Sequence, residues 1–157
     1  MLSIRPEEDG KLREVLTELC TESRAKVVFL IDKAGQLISR SDAPAYTSND
    51  ITFASLTAGN VAASEALSKL LGDKMLNHAF TETDDEGIYM SLVEQKLILV
   101  VIFEKYMSNL GIIRVKLKKF KPFISKIIER IEVKSERERN IGKEINIEEI
   151  DIDNLFE

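Results

Sequence analysis

With 157 residues, 44% of them hydrophobic, the chain has the length of one domain with a single core. Its net charge of −5 argues against DNA or an anionic membrane as the main partner, and its single cysteine, Cys20, excludes an intrachain disulfide. Because no stretch suits a bilayer span and the N-terminus does not resemble a signal peptide, we expect a cytoplasmic protein without membrane insertion.

The first half of the chain predicts a helix, a β-hairpin and a second helix. Apolar residues recur at helical spacing over residues 7–23. Residues 26–32 are β-branched and apolar, and they are followed by the turn "KAGQ" and a weaker strand over 36–41. A second helix is expected from Ile51 to Leu71, with Gly72 at its C-terminal stop.

The second half predicts three strands and a helix. The strands span about 77–83, 87–94 and 96–104, and "LILVVIF" in the last of them is typical of a central strand covered on both faces. The stretch "GIIRVKLKKF" also alternates like a strand. A helix over 108–131 fits more residues, and Pro122 then kinks it or divides it. The order of elements predicts an α+β domain, with a mostly antiparallel sheet between helices.

The charge separates a body from a tail. Residues 1–131 carry 18 basic and 18 acidic side chains, whereas residues 132–157 carry 4 basic and 9 acidic ones. We therefore divide the chain into a domain over 1–131 and an acidic C-terminal tail over 132–157. Alternation of acidic and apolar residues in the tail predicts a flexible segment, or one that a partner orders.

No set of residues predicts a catalytic centre. His78 is the single histidine and has no nearby nucleophile, and Cys20 lies on the apolar stripe of the first helix. Asp84, Asp85 and Glu86 are consecutive carboxylates in a predicted hairpin turn, where solvation is a better explanation than a cation site. We predict no catalytic residue, no metal site and no cofactor, and therefore a function in binding.

A basic run lies in the predicted last helix. Its spacing indicates the solvated face of an amphipathic helix, and the alternative is a contact for an acidic partner or for the acidic tail. Nucleic acid is a weaker interpretation because the body has no excess positive charge. The run consists of Arg114, Lys116, Lys118, Lys119 and Lys121.

The second helix contains "SLTAGNVAASEAL", in which almost every residue is small. At about 100° per residue, one face is predicted to be the core stripe: Phe53, Leu56, Asn60, Ala63, Leu67 and Leu70. Beside it lies a stripe of small residues: Ser55, Gly59, Ala62 and Ala66. Small residues permit close approach of another backbone, which indicates a contact with a second copy or a partner. The alternative is that this stripe packs on the protein's own sheet.

These residues resemble a known family. "FASLTAGNVAASEALSKLLG", "IYMSLVEQKLILVVIF" and "SNLGIIRVKLKK" are similar to the roadblock domain, a superfamily that includes the dynein light chain of that name. The similarity is strongest to bacterial MglB-type GTPase regulators and covers about residues 7–131.

The resemblance implies a three-layer fold: a five-stranded antiparallel sheet with the second helix on one face and the other two on the opposite face. It implies a homodimer in which the third strands pair and the second helices lie side by side. It also implies that the dimer activates a Ras-like small GTPase of the MglA type by positioning its switch regions without an arginine finger, with a role in cell polarity and motility.

The resemblance also points to residues. Ala62 and Ala66 are the expected partner-facing positions of the second helix, and we extend this set to Ser55, Ala58 and Gly59. In the MglB type a C-terminal extension reaches a second surface of the GTPase. The candidate tail contacts here are Ile150, Ile152, Leu155 and Phe156.

Two other functions agree with the sequence. A roadblock domain can serve as a non-catalytic dimeric scaffold that tethers signalling or transport components, since the fold alone does not define a function. A ligand-sensing domain would require an internal pocket, which the bulky apolar stripes do not indicate.

Overall fold

A computed structural model describes residue 4 and residues 6–46, 49–72 and 74–155, with side chains described as far as residue 143. Three helices and five strands within these residues agree with the predicted elements to within about two residues, except at the end of the last helix. They are α1 (Pro6–Ser23), β1 (Val27–Asp32), β2 (Leu37–Arg40), α2 (Asp50–Leu70), β3 (His78–Glu82), β4 (Glu86–Val93), β5 (Leu97–Glu104) and α3 (Leu110–Leu155).

The five strands form one antiparallel sheet in the order β2-β1-β5-β4-β3. The central strand β5 is buried on both faces from Leu97 to Phe103, as its unbroken apolar sequence predicts. The α+β fold with a five-stranded antiparallel sheet is therefore confirmed.

Helices cover the sheet on both faces. In one core cluster, Leu12 and Leu16 of α1 and Ile113 and Leu117 of α3 pack with sheet residues that include Leu99. The other cluster joins Ala54, Ala58 and Val61 of α2 to the opposite face of the sheet. The helices are thus divided as the resemblance implies, α2 on one face and α1 and α3 on the other.

One edge of the sheet is open. β3 pairs with β4 on one side only, and four of its five residues are exposed to solvent. An edge strand with free backbone groups is a template for pairing with another chain.

The helix α3 runs past the predicted end of the domain. Pro122 lies inside it without dividing it, and the helix continues to Leu155. Near residue 131 the helix is still attached to the body, since Lys134 pairs with Glu8 at 2.9 Å and Lys96 with Glu132 at 3.4 Å. The boundary that we drew from charge therefore falls within a helix, because Glu, Lys and Arg are all good helix formers.

Candidate functional site

The orientation of α2 differs from the prediction. The side of α2 that faces the sheet carries Ala54, Thr57, Ala58 and Val61. The predicted core stripe points outward instead: its leucines Leu56, Leu67 and Leu70 are 70%, 63% and 83% exposed. Asn60 and Ala63 are exposed as well, and only Phe53 of the predicted stripe is partly buried. The prediction that this stripe forms the core is wrong.

Close packing explains why small residues face inward. The β1–β2 turn lies directly beneath α2, and Gly35 in this turn has a φ of +89°. A Cβ atom placed on Gly35 would lie 3.1 Å from Ser55 Cα and 3.6 Å from Ala58 Cβ. Larger inward side chains would push α2 away from the sheet. Lys33 in the same turn pairs with Glu65 at 3.1 Å, which ties the turn to the middle of α2.

The structure divides the predicted partner-binding residues into two groups. Ser55, Gly59, Ala62 and Ala66 are exposed on α2. Ala58 is only 8% exposed and packs in the core with the sheet. Ala58 therefore lies on the wrong side of the helix for direct contact with a partner, and its small size serves the packing of α2.

The outward side of α2 is a largely apolar surface, which we term the α2 surface and in which Asn60 is an exposed polar residue. It consists of Leu56, Gly59, Ala62, Ala63, Ala66, Leu67 and Leu70. Between Ile51 and Ser68 the sole charged residue is Glu65, and it is paired with Lys33. Burial of each exposed leucine in an interface would contribute about 1.5–3 kcal/mol. Exposed apolar patches of this kind are typical of protein–protein and membrane contacts.

Sequence reasoning missed these leucines as candidates for a partner contact, because it placed them in the core. The available signal was that α2 is apolar on two sides, with almost no charge over five turns. A helix that lies on the surface of a lone domain ordinarily has a polar outer face.

The candidate chemical residues do not come together. Cys20 is buried, its thiol donates to the Ala25 carbonyl at 3.3 Å, and burial raises its pKa. His78 is exposed on β3, and its ring stacks on Tyr89 with centroids 5.5 Å apart. Glu86 pairs with Lys26 at 3.2 Å, while Asp84 and Asp85 remain in an exposed turn. Among the described residues, no group of three or more His, Cys, Asp or Glu side chains is suited to hold a metal ion.

The basic run of α3 has two parts. Lys116 and Lys119 both bind Glu22 of α1, at 3.3 and 2.8 Å. The hydrogen bond from Lys119 lowers the pKa of Glu22. These two lysines join α1 to α3. Arg114, Lys118 and Lys121 have no ion pair with any described carboxylate, as considered below.

Two further predictions concern the tail contacts and membrane insertion. The tail contacts Ile150, Ile152, Leu155 and Phe156 have side chains outside the described residues, so they stay predictions. None of the described helices has the length and apolar character needed to cross a membrane.

Comparison with known proteins identifies the family. The Roadblock/LC7 domain model matches residues 11–103. The matched segment runs from α1 through β5 and includes α2 with its outward surface. The chain belongs to the Roadblock/LC7 domain family, as its sequence predicted. A comparison with curated protein sequences found no match.

Solved structures place the chain with the MglB type of this family. MglB from Myxococcus xanthus is 40% identical, with 76% of this chain and 96% of that one covered and a TM-score of 0.71. A gliding protein MglB from Thermus thermophilus is 27% identical, with 82% and 96% covered and a TM-score of 0.74. A structure described as MglB with a tetrameric arrangement is 26% identical, with 83% and 96% covered and a TM-score of 0.76.

Proposed function

We propose that this protein is a homodimeric regulator that activates GTP hydrolysis by a Ras-like small GTPase of the MglA type, with a role in cell polarity and motility. The α2 surface carries this proposal. Its leucines are more than 60% exposed in the single chain, although they would be stabilised by burial. The 40% identity to MglB of Myxococcus xanthus supports the assignment of a GTPase as partner.

Dimer formation would complete the surface. In the proposed dimer, the open edge of β3 pairs with β3 of a second copy, and the sheet continues across both chains. The two α2 helices then lie side by side, and exposed Gly59, Ala62 and Ala66 permit close approach. The result is one platform of small and apolar residues for a single GTPase.

The proposed mechanism is positioning. α2 contains no arginine, so the α2 surface supplies no arginine finger. In the proposed complex the platform holds the switch regions so that the residues of the GTPase itself stabilise the charge that develops on the transferred phosphoryl group. The candidate tail residues Ile150, Ile152, Leu155 and Phe156 would reach a second surface of the same GTPase.

Single-turnover GTP hydrolysis tests the proposal. The wild-type chain is expected to accelerate hydrolysis by a cognate MglA-type GTPase, and Ala62→Arg is expected to abolish this effect because it adds bulk and charge to the platform. Ala45→Arg, which makes the same change at an exposed position in the loop before α2, is the matched control and is expected to leave activation unchanged.

The result also separates activation from tethering. If the wild-type chain binds the GTPase and leaves its single-turnover rate unchanged, the protein is a dimeric scaffold and the activating role is wrong. If Ala62→Arg activates as well as the wild type, the α2 surface is not the contact.

A further inference from the structure

A basic groove lies between β4 and α3, on the side of the sheet opposite α2. The groove has a volume of about 320 Å³. It is lined by the side chains of Tyr89 and Ser91, which carry hydroxyl groups, and by the apolar side chain of Leu117. Three basic residues of α3 also line the groove at helical spacing. We term them the groove cations: Arg114, Lys118 and Lys121.

The groove cations lack a carboxylate partner. No ion pair joins any of the three to a described Asp or Glu, whereas neighbouring Lys116 and Lys119 both pair with Glu22 of α1. The sheet residues that line the groove are Tyr89 and Ser91, and the Tyr89 side chain is hydrogen-bonded to Arg114. His78 stacks on Tyr89 and brings no negative charge. Lys121 is partly buried, and this burial lowers the pKa of its ammonium group because the charged form is poorly solvated. The ammonium group also has no described carboxylate partner. A carboxylate in the groove would relieve this cost.

The helix α3 is basic where it lines the groove and acidic at its C-terminal end. Residues 110–143 of the chain hold eleven basic and four acidic side chains, a net charge of +7. Residues 144–157 hold six acidic side chains and no basic one. Carboxylates at the C-terminal end of a helix lie at the negative end of its dipole, and they repel one another at i,i+3 and i,i+4 spacing. An external basic surface would therefore stabilise this segment as a helix.

The acidic segment does not reach the groove of its own chain. Glu148 is thirty residues beyond Lys118 in the same continuous helix, which separates them by about 45 Å along the axis. The groove of a second copy is under no such constraint. Lys118 and Lys121 are separated by three residues, as are Glu148 and Asp151, so both pairs present neighbouring charges on one helix face.

We infer that the acidic segment 144–157 of one copy docks in the basic groove of a second copy, with its carboxylates on Arg114, Lys118 and Lys121. This contact is separate from the α2 surface and from the β3 edge, and its test does not require a GTPase. It uses the same segment whose apolar residues Ile150, Ile152, Leu155 and Phe156 are proposed to reach the GTPase, so the two contacts compete for that segment. The contact with the groove would join dimers that are formed by β3 pairing into larger assemblies.

Charge swaps in the full-length chain test this contact. One chain carries Lys118→Glu and Lys121→Glu, and the other carries Glu148→Lys and Asp151→Lys. In each chain alone, the swapped positions face like charges, whereas a mixture of the two chains restores opposite charges at these positions in trans. Sedimentation velocity at low and at high salt measures assembly beyond the dimer, and circular dichroism checks that each chain is folded.

The expected result has three parts. The wild-type chain forms a salt-sensitive assembly, each swapped chain alone associates at least about tenfold more weakly, and the mixture regains wild-type association at low salt. A chain with Lys126→Glu and Arg130→Glu has the same charge change on α3 outside the groove, and it is expected to associate like the wild type.

Either of two results would overturn the inference. The first is that the chain with Glu148→Lys and Asp151→Lys associates as strongly as the wild type, which would assign the groove to another anionic partner. The second is that both swapped chains are folded and lose association, yet their mixture does not recover it.

Discussion

Single residues set how closely the elements approach one another. Gly35 adopts a left-handed conformation and brings the β1–β2 turn against the backbone of α2 at Ser55. The turn can pack this closely because Ser55 and Ala58 have small side chains. Two of the five predicted partner-binding residues therefore have a role within the domain. Gly59, Ala62 and Ala66 have no such role among the described contacts, and they remain the stronger candidates for a partner.

A pair of glycine substitutions checks this interpretation. Gly35→Ala is expected to destabilise the protein by about 1–3 kcal/mol, because its φ is strained for alanine and its methyl group would meet Ser55 Cα. Gly10→Ala lies in α1 with no atom within 4 Å of the added Cβ, and it is expected to stabilise by about 0.5–1 kcal/mol. Urea denaturation measures both. Equal stability of the two variants would show that the turn does not limit the position of α2.

At the scale of elements, a charged contact supports the pair of helices that covers one face of the sheet. Glu22 near the end of α1 accepts hydrogen bonds from Lys116 and Lys119 of α3. Both lysines belong to the basic run that we predicted from the sequence to be the solvated face of an amphipathic helix. The structure shows that α3 uses part of this run for packing on α1 and leaves the groove cations unpaired.

The lowered pKa of Glu22 predicts how this contact depends on pH. A carboxylate with a lower pKa in the folded state stabilises the protein above its ordinary pKa and loses this effect as pH falls through the folded value. Glu22→Gln is therefore expected to lower the urea midpoint at pH 7 and to have a smaller effect at about pH 3, below the ordinary pKa of a glutamate. Glu14→Gln, on an exposed part of α1, is the control and is expected to match the wild type at both values. A deficit of Glu22→Gln that is undiminished at low pH would contradict the ion-pair explanation.

For the whole molecule, the surfaces left open matter more than the core. The sheet is closed by helices on both faces, but the β3 edge and the α2 surface remain exposed in the single chain. The proposed dimer uses both at once, since pairing at β3 brings the α2 helices together. The basic groove lies on the other side of the sheet, and we infer that it receives the acidic end of α3 from a second copy.

Charge at the open edge tests the proposed dimer. Thr81→Lys on exposed β3 is expected to weaken dimerisation at least about tenfold, because pairing of two β3 strands brings the added charges close to each other and lysine on an edge strand opposes further pairing. Gln36→Lys adds the same charge at an exposed position directly before β2, the strand at the opposite edge of the sheet, and is expected to leave the dimer intact. Sedimentation equilibrium measures the dissociation constants. If Thr81→Lys dimerises like the wild type, the interface is not at β3.

Much of the fold was predictable because it depends on local patterns. Strand lengths follow from β-branched runs between turns, and the first helix follows from leucines at helical spacing. The limits of α3 were not predictable in this way. Its basic and acidic residues form a helix as readily as a solvated tail, and ion pairs such as Lys134–Glu8 connect positions that are distant in the chain.

The sequence by itself determined the order of the elements, the antiparallel sheet with a doubly covered β5, the family and the absence of a predicted catalytic set. Only the tertiary structure decided which side of α2 faces the sheet. Helical periodicity shows which residues share a face, but it does not show which face turns inward. Here the β1–β2 turn packs closely against Ser55 and Ala58, and the inward side of α2 carries Ala54, Thr57, Ala58 and Val61. The leucines therefore lie outside, where the proposed partner would bury them.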